Sequence, residues 1–314
     1  NKKKKKKIGG EVGKRIYCKT AVEDYINHVV SVAEVRFDGL NIAIDTANGS
    51  ASVCAKEIFT RLGAKCHMLS DTPNGVNINL NCGSTHPEEL MAFVKANKLD
   101  LGVAFDGDAD RMLAVDENGN LVDGDKIIAI CAAQMKQDGK LAKNTAVVTV
   151  MSNMGFFKFC EENDIKCAKT AVGDRYVLER MLQKGYNIGG EQSGHVIFLD
   201  YATTGDGELS AVKLIETIVK SGATLGSLAK IMTVYPQVLI NVPVTPQGKL
   251  KYNNDEYIIS AVQEAEMDLN GDGRVLVRVS GTEPLVRVML EGKNIEQITK
   301  LGNEIAEVVK ERLS

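Results

Sequence analysis

LGVAFDGDADR, residues 101–111, joins a buried-strand pattern to a cluster of charge. Leu101 to Phe105 are apolar, the pattern of a short strand covered on both faces. The chain then breaks into Asp106, Gly107, Asp108, Ala109, Asp110 and Arg111. Carboxylates at i, i+2 and i+4 repel and raise one another's pKa. Gly107 and small Ala109 let the backbone turn tightly, so the three aspartates are expected to converge on one point. A hard divalent cation removes the repulsion there, and a compact, partly hydrated carboxylate site suits Mg²⁺. Ligand sites of open α/β sheets lie beyond the carboxyl ends of strands, which is where this loop falls. An acidic surface turn is the plainer alternative. A calcium loop also competes, because Asp106, Asp108, Asp110 and Glu117 match its ligand spacing, but its sixth position requires Gly and holds Arg111. Arg111 beside a metal instead suggests an anion gripped by cation and guanidinium together.

Outward from this loop, strands and helices alternate. Strands are predicted at 41–45, 65–69, 101–105 and 112–115, with helices at about 51–62, from 87 onward and at about 126–136. A helix at 20–35 precedes them, and a polar loop spans 74–85. The polar stretch 136–143 suits a linker. A second alternation then places strands at 146–150, 166–170, 187–190 and 195–199, and helices at 155–162, 175–184 and 206–221. From about 234 the pattern changes to strands at 237–244, 275–279 and 286–291 with helices at 255–266 and 295–312. This predicts an α/β chain of two consecutive mixed, mainly parallel α/β domains followed by a small α+β C-terminal domain. The division is 1–37 (N-terminal remnant and connecting helix), 38–138 (metal loop), 139–236 (sugar loop) and 237–314 (phosphate turn).

Bulk properties bound the function. The 314 residues are 44% hydrophobic and 25% charged with a formal net charge of -3, which gives no electrostatic reason to expect nucleic acid. No apolar run approaches a membrane span and no signal peptide is visible. Seven cysteines without a CxxC pair read as reduced thiols of a cytoplasmic protein. Residues 2–7 are all lysine, a block expected to be solvated, and the chain opens on Asn1, which hints at something missing upstream.

Three further loops could face one ligand. In GGEQSGH, residues 189–195, Glu191, Ser193 and His195 alternate and so could share a face, where a carboxylate and a hydroxyl hold sugar hydroxyls and an imidazole moves protons. A hairpin turn with a satisfied histidine reads equally well. In RVSGTEP, residues 278–284, Arg278, Ser280, Gly281 and Thr282, with Arg287 beyond, resemble a phosphate cradle. In VGDRY, residues 172–176, Gly173, Asp174 and Arg175 form a strand-to-helix turn whose N–H groups could meet an anion, although Asp at a helix start is commonly a cap. Residues 268–273 begin like a calcium loop, but the twelfth position is Val279; a turn before a strand fits better.

Together these motifs resemble the α-D-phosphohexomutases. The matching segments are DGDADR at 106–111, VGDRYV at 172–177, GEQSGH at 190–195, TTGDG at 203–207 and SGTEP at 280–284. They stand in the family's order, and the likeness covers nearly the whole chain after about Ile8. GEQSGH, where glucose and mannose members tend to carry GEMSGH, and VMSNMG at 150–155 point to the glucosamine branch.

The resemblance implies interconversion of glucosamine 6-phosphate and glucosamine 1-phosphate, a cytoplasmic step toward UDP-N-acetylglucosamine and peptidoglycan. A phosphoserine of the family's first domain gives its phosphoryl group to the sugar, and a 1,6-bisphosphate turns over in the site. It further implies Mg²⁺ on Asp106, Asp108 and Asp110, and Arg111 on the transferring phosphoryl group. Glu191 and Ser193 would hold the sugar, His195 would transfer a proton, and the turn at 280–282 with Arg278 and Arg287 would anchor the distal phosphate. Glucosamine 1,6-bisphosphate or glucose 1,6-bisphosphate would act as activator. The expected partner is a small sugar phosphate, not nucleic acid or membrane, with a homodimer as an allowed assembly. The family's serine loop, usually TASHNP, does not occur in these residues. Ser84 in GSTHP superficially resembles it but matches the second domain's own pattern, so the chain is read as domains two to four. A phosphoglucomutase or phosphomannomutase is the nearby enzymatic alternative, and a non-catalytic sugar-phosphate or calcium-binding protein is the competing class.

Overall fold

The computed structural model describes residues 16–280 and 283–314. The lysine block at residues 2–7, together with Gly281 and Thr282, lies outside the described residues. The first helix, α1 (Ala21–Ser31), buries Ile26 and Val29, three residues apart on one helical face. It stops short of the predicted 35. Val32 and Phe37 are buried beyond it, and the Phe37 N–H donates to the Leu62 carbonyl, so packing rather than propensity sets the end.

Five strands follow: β1 (Asn41–Asp45), β2 (Lys65–Leu69), β3 (Leu101–Phe105), β4 (Met112–Val115) and β5 (Leu121–Val122). They form one sheet of order β2-β1-β3-β4-β5, with β1 parallel to β2 and β3, and β4 antiparallel to β3. Helices α2 (Ala55–Arg61) and α3 (Glu88–Asn97) join its parallel strands. Beyond α4 (Gly124–Gln137) the arrangement repeats with β6 (Thr145–Thr149), α5 (Met154–Glu162), β7 (Lys166–Thr170), α6 (Asp174–Lys184), β8 (Ile188–Gly190) and β9 (Val196–Phe198). The second sheet has the order β7-β6-β8-β9, with β8 antiparallel to β9. DGDADR and GEQSGH therefore occupy the same topological position. Each connects the third strand of its repeat to the antiparallel fourth.

Two helices bind the repeats together. Helix α7 (Gly207–Ser221) is buried without interruption over residues 207–218 and packs against β3, β4, β9, α1 and α4. A helix enclosed on every side belongs to a shared interior, and one apolar core accordingly runs from Ile26 to Met232. Helix α4 packs on β8, α5 and α7 as well as on β4. The stretch 136–143, predicted as a linker, is a close connection in which Leu141 is buried and Lys140 pairs with Glu34.

After the short α8 (Leu225–Leu228) the chain enters β10 (Gln237–Pro243), α9 (Pro246–Lys251), α10 (Glu256–Leu269), β11 (Gly273–Val279), β12 (Leu285–Gly292) and α11 (Ile295–Leu313). These strands form an antiparallel sheet of order β10-β12-β11, and α10 and α11 pack on it over a separate core running from Val242 to Leu313. Of residues 268–273, the first two end α10, the last begins β11 and 270–272 are the turn between them, with Asn270 and Gly271 both at positive φ. No helix among the described residues is long and apolar enough to cross a membrane.

Candidate active site

All five residues of β3 are buried, and the strand ends directly at Asp106. Backbone turning and close approach fall to different residues of the loop. Ala109 carries the left-handed conformation (φ 58°) and its N–H donates to the Asp106 carbonyl. Gly107 is needed for space, because a Cβ there would lie 2.7 Å from Asn79 and 2.8 Å from Ile78. The Gly107 carbonyl accepts the Ser50 N–H at 2.9 Å, which braces the loop from the turn after β1.

Asp106, Asp108 and Asp110 each bring one oxygen to within 4.8 Å of the others, the only such group among the described residues. Burial, then the charges of Asp110 and Asp108, pushes the Asp106 carboxyl up to about 6, although the Arg111 N–H donates to it. Arg111 Nε stands 3.8 Å from Asp110. An all-oxygen set with uncompensated repulsion fits a hard cation such as Mg²⁺.

His195 reaches this loop from the second repeat. It is 3% exposed, and its Nδ1 lies 3.1 Å from Asp110 Oδ2. The Gly205 N–H donates to Nε2 at 3.1 Å, so Nε2 offers its lone pair and Nδ1 holds the proton that faces Asp110. A Cβ at Gly205 would fall 2.4 Å from the ring. The expected shared face of Glu191, Ser193 and His195 does not form. Ser193 is exposed while His195 turns inward, because residues 191–194 are a turn, with the Gly194 N–H on the Glu191 carbonyl, and strand alternation does not apply.

Glu191 Oε1 accepts the Gly173 N–H at 3.0 Å and so ties the sugar loop to VGDRY. Gly173, not Asp174, is the N-cap of α6. Asp174 is the first helical residue, and Arg175 pairs with Glu179 along the helix. Gln192 donates to Asp123 at 3.1 Å at the start of α4. In the C-terminal unit Arg278 and Arg287 stand directly opposite each other on β11 and β12. Burial first, then the Arg287 charge, holds the Arg278 guanidinium below its ordinary pKa. Arg287 Nε is buried without a partner among the described residues, and its NH2 donates to Glu283 at 2.7 Å. Ser280 is buried and its Oγ accepts the Glu283 N–H. Ser84 is 8% exposed, in a short turn that follows the Gly83 N–H bond to Asp45.

Sequence reasoning missed the acid cluster behind the metal loop. The Gly207 N–H donates to the Ala109 carbonyl, and Asp206 caps α7 through the Leu209 N–H. Tyr25 OH lies 2.9 Å from Asp206 and 2.7 Å from Glu208, and Cys54 donates to Glu208 at 3.0 Å. Burial pushes the Glu208 carboxyl up to about 7. A folded-state pKa raised from 4.5 to about 7 means that ionisation destabilises the native state progressively across that window, by up to about 3 kcal/mol above it. Glu208→Gln, which cannot ionise, is expected to raise the melting temperature at pH 8 relative to its effect at pH 4. Equal shifts in thermal melts at the two pH values would contradict this.

Models of the phosphoglucomutase/phosphomannomutase family match three consecutive segments: alpha/beta/alpha domain II over residues 23–119, alpha/beta/alpha domain III over 123–235 and the C-terminal domain over 239–308. The chain belongs to this family. Within the phosphoglucomutase/phosphomannomutase family it is 52% identical over 305 residues to the phosphoglucosamine mutase of Brevibacillus brevis, covering 97% of this chain and 68% of that one. It is 50% identical to the phosphoglucosamine mutase of Clostridium novyi, with the same coverage. The chain thus spans about two thirds of the length of these relatives. Among solved structures, N-acetylphosphoglucosamine mutase of Aspergillus fumigatus superposes with a TM-score of 0.77 at 20% identity over 93% of this chain and 64% of that one. A second structure of that enzyme, in complex with GlcNAc-6P and magnesium, gives 0.72 over 93% and 65%. At that identity the likeness is one of fold. The family's members are phosphosugar mutases, so the chain is of an enzyme class, as its motifs implied.

Proposed function

We propose that this chain supplies the metal, sugar and distal-phosphate contacts of a phosphoglucosamine mutase, which interconverts glucosamine 6-phosphate and glucosamine 1-phosphate. The observation that carries the reading is the convergence of Asp106, Asp108 and Asp110 at the end of β3, with Asp110 held by His195 from the matching loop of the other repeat. Mg²⁺ bound by the three aspartates would neutralise charge on the transferring phosphoryl group. Arg111, whose Nε stands 3.8 Å from Asp110, would hold the oxygens of that group. His195 fixes the direction of Asp110, and with Nε2 engaged by Gly205 only the Nδ1 proton is available for exchange. Glu191 and exposed Ser193 present a carboxylate and a hydroxyl to sugar hydroxyls, and Gly173, Asp174 and Arg175 border them at the start of α6. Arg278, Ser280 and Arg287, with Gly281 and Thr282, anchor the phosphate that is not in transfer.

The phosphoryl donor in this reading is a phosphoserine outside these residues. Its phosphoryl group passes to the free sugar hydroxyl to give a 1,6-bisphosphate, and the other phosphoryl group then returns to the serine. Glucosamine 1,6-bisphosphate or glucose 1,6-bisphosphate would prime the cycle. Catalysis of this kind rests on positioning and charge neutralisation, which is what these four loops offer. Calorimetric titration of the chain in Mg²⁺ tests the reading. Glucosamine 6-phosphate is expected to bind more tightly than glucose 6-phosphate, and both more tightly than free glucosamine. Equal binding of phosphorylated and free sugar, or no binding, would overturn it.

A further inference from the structure

VMSNMG, residues 150–155, runs from the end of β6 into the first turn of α5, and its contacts run to the C-terminal unit. Asn153 is 1% exposed and all four hydrogen-bonding positions of its side chain are used. Its Oδ1 accepts the Gly155 and Tyr235 N–H groups, each at 2.9 Å. Its Nδ2 donates to the Tyr235 carbonyl at 2.9 Å and to Glu291 at 3.3 Å. Glu291, fully buried on β12, also accepts the Met154 N–H at 2.9 Å and Arg274 Nε at 2.6 Å. The Arg274 guanidinium extends back to the Val150 and Ser152 carbonyls and lies 4.9 Å from the Phe157 ring. The network thus joins the VMSNMG turn, the connection at Tyr235 and the base of the β11–β12 ribbon.

We infer that Asn153, Arg274 and Glu291 are positioning residues, a latch that sets the angle at which the C-terminal unit presents its phosphate-anchoring turn to the sugar loop. The inference rests on the function proposed above. The two cores on either side of this joint are separate, so apolar packing does not fix the angle continuously. Hydrogen bonds to named carbonyls and amides are directional and can. Arg274 and Glu291 pair across one end of the ribbon, while Ser280 stands at the other. Ser280 is six positions beyond Arg274 along the ribbon, about 20 Å. A tilt of about 10° at the base would move the turn by roughly 3 Å, and misplacement of about 1 Å already costs on the order of 10²-fold in a positioned reaction.

Two probes titrated into this chain separate the latch from the site it aims. Inorganic phosphate needs only Arg278 and Arg287, within one unit, whereas glucosamine 6-phosphate must reach both units. Arg274→Lys keeps a charge beside Glu291 but cannot hold both carbonyls. It is expected to weaken glucosamine 6-phosphate binding about 5- to 10-fold, while phosphate affinity stays within about twofold. Glu291→Gln, with Arg274 left unanswered, should show the same split more strongly in any variant that retains a cooperative melt. Parallel loss of both affinities in folded Arg274→Lys, or no change in either, overturns the latch. Failure of the unaltered chain to bind glucosamine 6-phosphate would instead overturn the functional reading beneath it.

Discussion

Asp108→Asn is expected to weaken Mg²⁺ binding and to lower phosphoryl transfer by at least about 10²-fold, the scale on which removal of one preorganised electrostatic group acts. Asp106 and Asp110 have other duties in the fold. One receives the Arg111 N–H, and the other meets His195 and Arg111. Asp108 is exposed between them, so its substitution removes one of three converging charges while leaving the braces of the loop in place. The fold should therefore survive and the cation should not hold. Titration of this chain with Mn²⁺ as a spectroscopic probe reads the binding directly, and turnover is measured in a protein extended to the length of the relatives. Activity near that of the unaltered enzyme at limiting Mg²⁺ would rule out a metal role for the aspartates.

Arg287→Ala should cost roughly 10- to 150-fold in affinity for glucosamine 6-phosphate and leave free glucosamine unaffected. That is the span of a charge-assisted hydrogen bond, about 1.5–3 kcal/mol. Like charges directly across a ribbon destabilise it, and Arg287 has a buried Nε without a partner among the described residues. An anion between Arg278 and Arg287 answers both conditions. Glu283, which pairs with Arg287 at 2.7 Å, takes up only part of that charge. Unchanged affinity in a calorimetric titration would return the pair to a role in the ribbon alone.

Much of the candidate site's local structure was legible from short range. The strand ending at Phe105, the aspartates after it and the arginine-flanked turn at 278–287 are statements about neighbouring residues, where hydrophobic period and turn chemistry operate over a few positions. The same reasoning misjudged Gly107, whose use is close approach to Ile78 and Asn79, and it left His195 open between a face shared with Glu191 and Ser193 and a turn with a satisfied histidine, of which the structure has the second. Neither point could be decided locally, because the deciding neighbours lie on other loops.

By itself the sequence determined the order of strands and helices, the repeat of one α/β plan, the change to a small α+β unit and the family to which the chain belongs. The tertiary structure alone decided which loops meet. His195 and Asp110 are 85 positions apart, Tyr25 and Glu208 183, and Asn153 and Glu291 138. The physical reason is range. Local propensity is exhausted within a turn or two of backbone, whereas the meeting of distant loops depends on sheet order and on an enclosed α7 between the repeats, which exist only once the whole chain has packed.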